Sequence, residues 1–253
     1  MFPGYIEFEF DLPSALLTRL ITVLDGMDRG PLSPAHVSAG VPEAQGVYQL
    51  FHHDKLVYIG KTDADSGLKR RLERHALTIL SRHNLDVANM SFKAVRVLVF
   101  SAMDLETALI NHYKEQGYPS PWNGSGFGSN DPGRNRDSTA LRQDGFDANY
   151  PINIDLPLDL SGVTEPRPAP QFLAKLSADL PYTLRHEKTE VGLTALRAAV
   201  VAPARTILTM REVMMQLVAL LPRGWQATKL SGRVILYHER RDDYPGGEII
   251  ARS

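Results

Sequence analysis

Two short strings in the sequence place tyrosines where neighbouring strands would hold them side by side. The strings are Gly46-Val47-Tyr48 and Tyr58-Ile59-Gly60, and a polar stretch around His53 and Asp54 separates them. Apolar segments on both sides of such a stretch predict a β-hairpin. Each string alone carries little functional weight, because a tyrosine in a hairpin commonly serves cross-strand packing.

Groups that could work on a phosphate follow at helical spacing. Arg71 and His75 lie four residues apart, so a helix would present both on one face. Glu106 falls in the first turns of the next predicted helix, where the helix dipole alone already favours a carboxylate. Asn123 begins a glycine-rich loop, where asparagine is normally a turn residue. Phosphodiester hydrolysis needs an activated water and charge neutralisation on the phosphoryl oxygens, and this set of groups suits that chemistry.

The order of these residues resembles the GIY-YIG nuclease superfamily. The matching positions are Tyr48, Tyr58, Lys61, Arg71, His75, Glu106 and Asn123. Val47 replaces the middle isoleucine of the first string, and the interval from Glu106 to Asn123 is longer than in the repair nucleases. The resemblance implies that the seven residues are catalytic. It also implies that Glu106 binds one Mg²⁺, or Mn²⁺ as a substitute, with water and phosphate completing the coordination.

A role can be assigned to each group as a hypothesis. Tyr48 is the general base, and Lys61, Arg71 and the metal ion lower its pKa from the ordinary value of about 10. Tyr58 and His75 position water or phosphate, and the planar fork of Arg71 contacts the non-bridging oxygens. The reverse assignment of the two tyrosines stays open.

The loop from 122 to 137 indicates the biological role. It is similar to the corresponding loop of GIY-YIG type II restriction endonucleases that cut the palindrome CCGCGG, in which Trp-Asn is followed by Gly-Phe-Gly and Asp-Pro-Gly. The resemblance implies a restriction-modification enzyme of the bacterial cytoplasm. It further implies a homodimer in which each subunit cuts one strand of double-stranded DNA at a two-fold symmetric site.

Four side chains of this loop are candidates for reading base edges in DNA. They are Asn130, Arg134, Asn135 and Arg136. Arginine pairs with guanine, and asparagine pairs with adenine or the backbone. The alternative is an ordinary flexible loop with scattered phosphate contacts.

Two other functions remain open. The first is a structure-specific repair or recombination nuclease of the same superfamily, although the helix-hairpin-helix modules usual in that group are missing from the sequence. The second is an inactive DNA-binding relative. The complete set of Tyr48, Tyr58, Arg71, His75 and Glu106 argues against the second.

Composition narrows the class of protein. The 253 residues carry a formal net charge of −1, which is no signature of a nucleic-acid binder by itself. The absence of cysteine excludes disulfides and cysteine zinc sites. No signal peptide and no apolar run of about twenty residues is evident, so we expect a cytoplasmic protein without a membrane segment.

The predicted fold class is α/β, of the α+β kind, with a small antiparallel sheet flanked by helices. The expected strands are Gly46–Phe51, Lys55–Gly60, Ser91–Phe100 and a closing strand Arg233–His238. A helix is expected over 14–25, followed by a connector from Pro31 to Ala44. Further helices are expected to be opened by Ser66 and Gly67, with Leu68, Leu72, Ala76 and Ile79 on the buried side, to be capped by Ser101 with Asp104, and to be capped by Thr209 with Glu212. The predicted domains are an N-terminal helical extension (1–44), a GIY-YIG nuclease domain (45–150), a proline-rich linker (151–170) and a C-terminal α/β accessory domain (171–253).

Overall fold

The chain is a mixed α/β protein whose contacts divide it into two compact units. The computed structural model describes residues 3–7, 11–62, 66–98, 104–128 and 133–253. The first unit comprises residues 1–76 and 86–124, and the second comprises residues 77–85 and 125–253.

Within its described residues, the first unit contains one four-stranded sheet and four α-helices. In chain order its elements are α1 (Leu12–Gly26), β1 (Gly30–Pro31), α2 (Pro34–Gly40), β2 (Gly46–His52), β3 (Lys55–Thr62), α3 (Leu68–Leu80, with residues 68–76 in this unit), β4 (Met90–Arg96) and α4 (Leu105–Glu115). The strand order is β1-β4-β2-β3, and every pair is antiparallel. The predicted small antiparallel sheet with flanking helices is therefore confirmed.

The hairpin that joins β2 and β3 turns at the predicted residues. His53 and Asp54 both have positive φ angles, 45° and 66°. A two-residue loop with φ above zero at both positions matches the right-handed twist of the strands it connects. The turn sets the register in which Tyr48 lies opposite Gly60 and Leu50 lies opposite Tyr58.

Helices cover both faces of this sheet. On one face Val47 and Ile59 pack with α1 and α4 in a buried apolar cluster. Successive side chains of a strand point to opposite faces, so Tyr48 lies on the other face. There it meets α3, whose predicted apolar stripe of Leu68, Leu72, Ala76 and Ile79 is fully buried.

Three local predictions for this unit need correction or lie beyond the described residues. The segment from Pro31 to Ala44, expected to be a connector, contains helix α2, which Ser33 caps through its side chain. Asp104 itself is the N-cap of α4, and its carboxylate accepts a hydrogen bond from the Thr107 N–H. Ser101, the expected cap, and residues 99–100, the expected end of β4, lie outside the described residues.

The second unit surrounds a larger apolar core. Its elements are α5 (Phe146–Asn149), β5 (Pro157–Asp159), β6 (Arg167–Pro168), α6 (Ala169–Asp179), β7 (Thr183–His186), α7 (Glu190–Ala198), β8 (Val200–Val201), β9 (Ile207–Thr209), α8 (Met210–Ala219), β10 (Gln226–Leu230), β11 (Arg233–Tyr237) and β12 (Glu248–Arg252). Four strands form a sheet in the order β12-β10-β11-β7, in which only the β11–β7 pair is parallel.

The proline-rich segment 151–170 is part of this core, so the predicted linker is wrong. Ile152, Ile154, Leu160, Val163 and Ala169 are all buried in the apolar cluster of the second unit. Prolines restrict φ and remove backbone donors, but they do not keep the intervening apolar side chains from being buried. The contacts change from one unit to the other after Gly124, well before the predicted boundary at 150.

The C-terminal region follows the prediction in its capping and departs from it at its end. Thr209 and Glu212 form a reciprocal capping box on α8, as expected. The strand Arg233–Tyr237 does not close the chain, because β12 follows and pairs with β10.

Among the helices that the structure describes, none is long and apolar enough to cross a membrane.

Candidate active site

The β2–β3 hairpin brings the two motif tyrosines together. The ring centroids of Tyr48 and Tyr58 are 6.1 Å apart. The Tyr48 ring lies across Gly60, where an added Cβ would stand 2.4 Å from the Tyr48 hydroxyl oxygen. Such a distance is far inside van der Waals contact, so the second glycine of the motif is the residue type that leaves room for the tyrosine.

Helix α3 is held in place from a distant part of the chain. Its first three backbone N–H groups bond to the segment 42–44: Leu68 to the Ala44 carbonyl at 2.8 Å, Lys69 to the Pro42 carbonyl at 3.4 Å and Arg70 to the Glu43 carboxylate at 3.2 Å. The first turn of a helix leaves its N–H groups without partners inside the helix, and this segment supplies them. The same contacts fix the direction in which α3 presents its side chains.

Arg71 and His75 converge on the hydroxyl of Tyr48. The Tyr48 oxygen lies 2.7 Å from Nε2 of His75, and Nε of Arg71 donates to the same oxygen at 3.3 Å. The His75 ring is also 5.5 Å from the Tyr58 ring. Four residues that the sequence placed on two strands and one helix therefore form a single contact group.

Burial controls the protonation of this group. Tyr48 is 1% exposed, and burial raises its pKa above the ordinary value, although Arg71 acts in the opposite direction. Burial raises the pKa of Tyr58 as well. Burial, followed by the charges of Arg71 and Arg74, holds the pKa of His75 well below its usual range. At neutral pH the chain therefore presents a neutral phenol next to a neutral imidazole.

The expected lowering of the Tyr48 pKa is not what the structure gives. Arg71 does favour the ionised phenol, but less strongly than burial disfavours it. The Lys61 ammonium, the second cation expected to help, bonds to the Asp104 carboxylate at 2.8 Å. This pair lowers the pKa of Asp104 to about 2.

Glu106 and Asn123 both bind the outer edge of β3. Asn123 accepts a hydrogen bond from the Ile59 N–H at 2.9 Å and donates one to the Ile59 carbonyl at 2.8 Å. Two residues along the strand, the Lys61 N–H donates to the Glu106 carboxylate at 3.2 Å. Both polar atoms of the Asn123 side chain are therefore hydrogen-bonded to the backbone of Ile59. Asn123 is thus placed to orient β3.

Glu106 carries the one carboxylate that the sequence predicts to bind a metal ion. It is half-buried, and burial raises its pKa despite the hydrogen bond from Lys61. Within the part of the chain that the structure describes, no group of three or more His, Asp or Glu side chains could enclose an ion. A single carboxylate such as that of Glu106 fits Mg²⁺, because Mg²⁺ usually keeps several waters and binds one or two carboxylates together with substrate phosphates.

The candidate DNA-reading residues belong to the second unit. Arg134, Asn135 and Arg136 lie in a 3-10 turn, Arg134–Ser138, with their side chains exposed. Arg134 is engaged with protein groups: it pairs with Glu187 at 3.3 Å and Glu239 at 3.5 Å. Asn130 lies outside the described residues.

Three structural features of these regions were not predicted. They are the bond of Glu43 to the start of α3, the ion pair of Asp104 with Lys61, and the burial of Asp137 beside the predicted reading residues. The partners of Glu43 and Asp104 lie 27 and 43 residues away in sequence, so no local pattern reveals them. Asp137 directly follows Arg136, yet an aspartate in a polar loop gives no sign of burial.

Known proteins add no further assignment at this point. Comparison of the sequence with models of protein families and with curated proteins gave no match.

Proposed function

We propose that this chain is a metal-dependent DNA endonuclease of the GIY-YIG type, and more specifically a type II restriction endonuclease that cuts double-stranded DNA at a defined sequence. The observation that carries the proposal is the contact group formed by Tyr48, Tyr58, Arg71 and His75. Glu106 lies near enough for its charge to raise the pKa of both tyrosines.

The chemistry assigns distinct tasks to these side chains. Arg71 binds the non-bridging oxygens of the scissile phosphate through its guanidinium, which matches phosphate geometry. Glu106 holds the divalent cation, which supplies positive charge at the phosphate. Asn123 keeps β3, and with it Tyr58, in place through the Ile59 backbone.

Proton transfer runs through Tyr48 and His75 together. Burial keeps Tyr48 as a neutral phenol, which is a poor base unless it releases its own proton as it accepts one. His75 is neutral, and in the tautomer protonated at Nδ1 its Nε2 accepts the Tyr48 hydroxyl hydrogen at 2.7 Å. The attacking water therefore gives a proton to the Tyr48 oxygen while the Tyr48 proton moves to Nε2, and the water oxygen bonds to phosphorus as the bond to the 3′ oxygen breaks. The 3′ oxygen takes a proton from water, and the imidazolium, which burial disfavours, returns its proton to solvent.

A cleavage experiment tests the proposal directly. Purified protein with Mg²⁺ is incubated with unmethylated phage DNA, and the fragment ends are sequenced. Discrete fragments that share one short palindrome are expected. The Glu106→Ala variant should give none, while Glu115→Ala, which removes an exposed carboxylate from the same helix, should cut like the original chain.

Other outcomes contradict parts of the proposal. Cleavage of flaps or branched DNA without cleavage of duplexes indicates a structure-specific nuclease. No cleavage of either substrate in Mg²⁺ or Mn²⁺ rules out nuclease function. The proposed homodimer, which rests on the resemblance to the CCGCGG-cutting enzymes, is tested by light scattering during size-exclusion chromatography.

A further inference from the structure

The buried carboxylate of Asp137 lies in a part of the second unit that no catalytic step uses. Its side chain is 1% exposed. One carboxylate oxygen receives Arg185 at 2.5 Å and Arg233 at 2.9 Å, and the other receives the Tyr237 hydroxyl at 2.8 Å. The three donors come from β7 and β11, so this one aspartate fastens the 3-10 turn 134–138 to two paired strands.

Arg134 provides a second attachment on the other side of the turn. Its guanidinium lies 4.0 Å above the Tyr237 ring and bonds to Glu187, which is itself buried. Cation–π stacking and a charge pair together fix both the stem and the head of an arginine. Tyr237 thus touches both attachment points: its ring supports Arg134, and its hydroxyl binds Asp137.

The two residues between these attachments have a different character. Asn135 and Arg136 are exposed, and no carboxylate pairs with Arg136 among the described ion pairs. Gly133 starts the turn with φ +88° and ψ 175°, a backbone conformation that side chains larger than hydrogen strongly disfavour. The backbone on either side of Asn135 and Arg136 is therefore constrained while their side chains extend outward.

The use of a buried aspartate as the anchor indicates that the turn holds Asn135 and Arg136 in a defined orientation. A buried ion pair contributes less to stability than apolar packing of similar volume, but it can fix one orientation. An apolar residue at 137 would hold the turn against the sheet without fixing the direction of its neighbours. An aspartate with three donors fixes that direction as well.

We infer that the residues of the turn have two different roles: Arg134 and Asp137 hold the turn to the sheet, whereas Asn135 and Arg136 contact the edges of bases in duplex DNA. This inference rests on the proposed function for its ligand. It also revises the role of Arg134, which the sequence grouped with the reading residues. Arginine can form paired hydrogen bonds with guanine, and asparagine can form them with adenine.

Binding measurements separate contact from support. A labelled duplex carrying the cleavage site is titrated with the full chain in a Glu106→Ala background. Arg136→Ala and Asn135→Ala should each weaken binding about five- to 150-fold without changing the melting temperature. The matched control is Arg142→Ala, which removes one exposed arginine of the same unit that pairs with Asp144, and it should leave binding within about twofold.

Hydrogen exchange on the free protein tests the holding half independently of any nuclease activity. Asp137→Asn and Arg134→Ala should raise amide exchange across 133–138 by about tenfold or more, whereas Arg136→Ala should not. If Asn135→Ala and Arg136→Ala bind DNA like the parent protein, or if Arg134→Ala weakens binding with exchange unchanged, the inference is overturned. If the parent protein neither cuts nor binds duplex DNA, the proposed function fails, and the exchange data alone then decide whether Asp137 and Arg134 hold the turn.

Discussion

The Tyr48 hydroxyl lies 2.7 Å from Nε2 of His75, and both groups are almost completely buried. A hydrogen bond between two neutral groups in this position joins a strand residue to a helix residue across the sheet face. It gives the Tyr48 hydroxyl a specific proton acceptor, which a buried hydroxyl away from water would otherwise lack.

Replacing Tyr48 tests that link. Tyr48→Phe keeps the ring and removes only the hydroxyl, so we expect the cleavage rate to fall by about 10² to 10⁴. The unfolding free energy should fall by about 1–3 kcal/mol, since His75 loses a buried partner. Single-turnover cleavage and thermal unfolding measure the two effects. Tyr118→Phe, which alters an exposed tyrosine of the same unit, should change neither; a Tyr48→Phe variant that cuts at the original rate would exclude Tyr48 as the base.

The neutral state of His75 predicts a dependence of stability on pH. Its pKa is lowered in the folded chain, whereas an unfolded histidine takes up a proton near pH 6.5. The unfolded state then binds more protons at low pH. This contribution to stability is therefore fully present above about pH 6.5 and is lost as the pH falls toward the folded pKa.

Urea unfolding between pH 8 and pH 5 measures this effect. His75→Gln can still accept the Tyr48 hydroxyl hydrogen bond but cannot titrate, so its unfolding free energy should fall less steeply with acidification than that of the original chain. His112→Gln, on a different helix, should keep the original slope. Equal slopes for the original chain and His75→Gln would contradict a buried neutral imidazole.

The close approach of Tyr48 to Gly60 gives a steric prediction. Gly60→Ala would put a methyl group 2.4 Å from the Tyr48 oxygen. Overpacking of this kind costs about 1–3 kcal/mol and should displace the ring, so cleavage should fall sharply. Gly26→Ala is the matched change, because a Cβ there meets nothing within 4 Å. Cleavage and melting temperature of the two variants should diverge; similar values would show that the Tyr48 ring has room to move.

Asn123 should act through β3, and its substitution should show this. Asn123→Asp keeps the acceptor for the Ile59 N–H but sets a carboxylate oxygen against the Ile59 carbonyl. We expect a loss of about 1–3 kcal/mol in unfolding free energy and faster amide exchange at residues 57–61. Asn111→Ala, at an exposed site in the same unit, should affect neither. Unchanged exchange at 57–61 together with lost cleavage would instead indicate that Asn123 touches the substrate.

The sequence predicts the local part of the site and misses the distant part. The spacing of Arg71 and His75 correctly predicts one shared helix face, because helical periodicity is a local property. The burial that raises the pKa of Tyr48 in the protein alone was not predicted, because its extent depends on α3 packing over β2. The ion pair of Arg134 was not predicted for a similar reason: its partner Glu187 lies 53 residues away.

The domain boundary was missed because the prolines of segment 151–170 were interpreted as the mark of a stiff linker. Ile152 and Ile154 are separated by one residue, which fits a buried extended chain as well as a linker. Prolines favour extended backbone in such a segment. It does not show which surface covers it, and here that surface is the core of the second unit.

The hydrogen bonds along the outer edge of β3 also bear on self-assembly. A strand at the end of a sheet normally offers a row of unpaired backbone groups on which a strand of another molecule can add. Along β3 the Trp122 N–H binds the Val57 carbonyl, Asn123 binds both backbone groups of Ile59, and Glu106 binds the Lys61 N–H. The residues that shape the candidate site thus also block this edge as a template for intermolecular sheet growth, and substitutions at Asn123 should increase aggregation as well as lower stability.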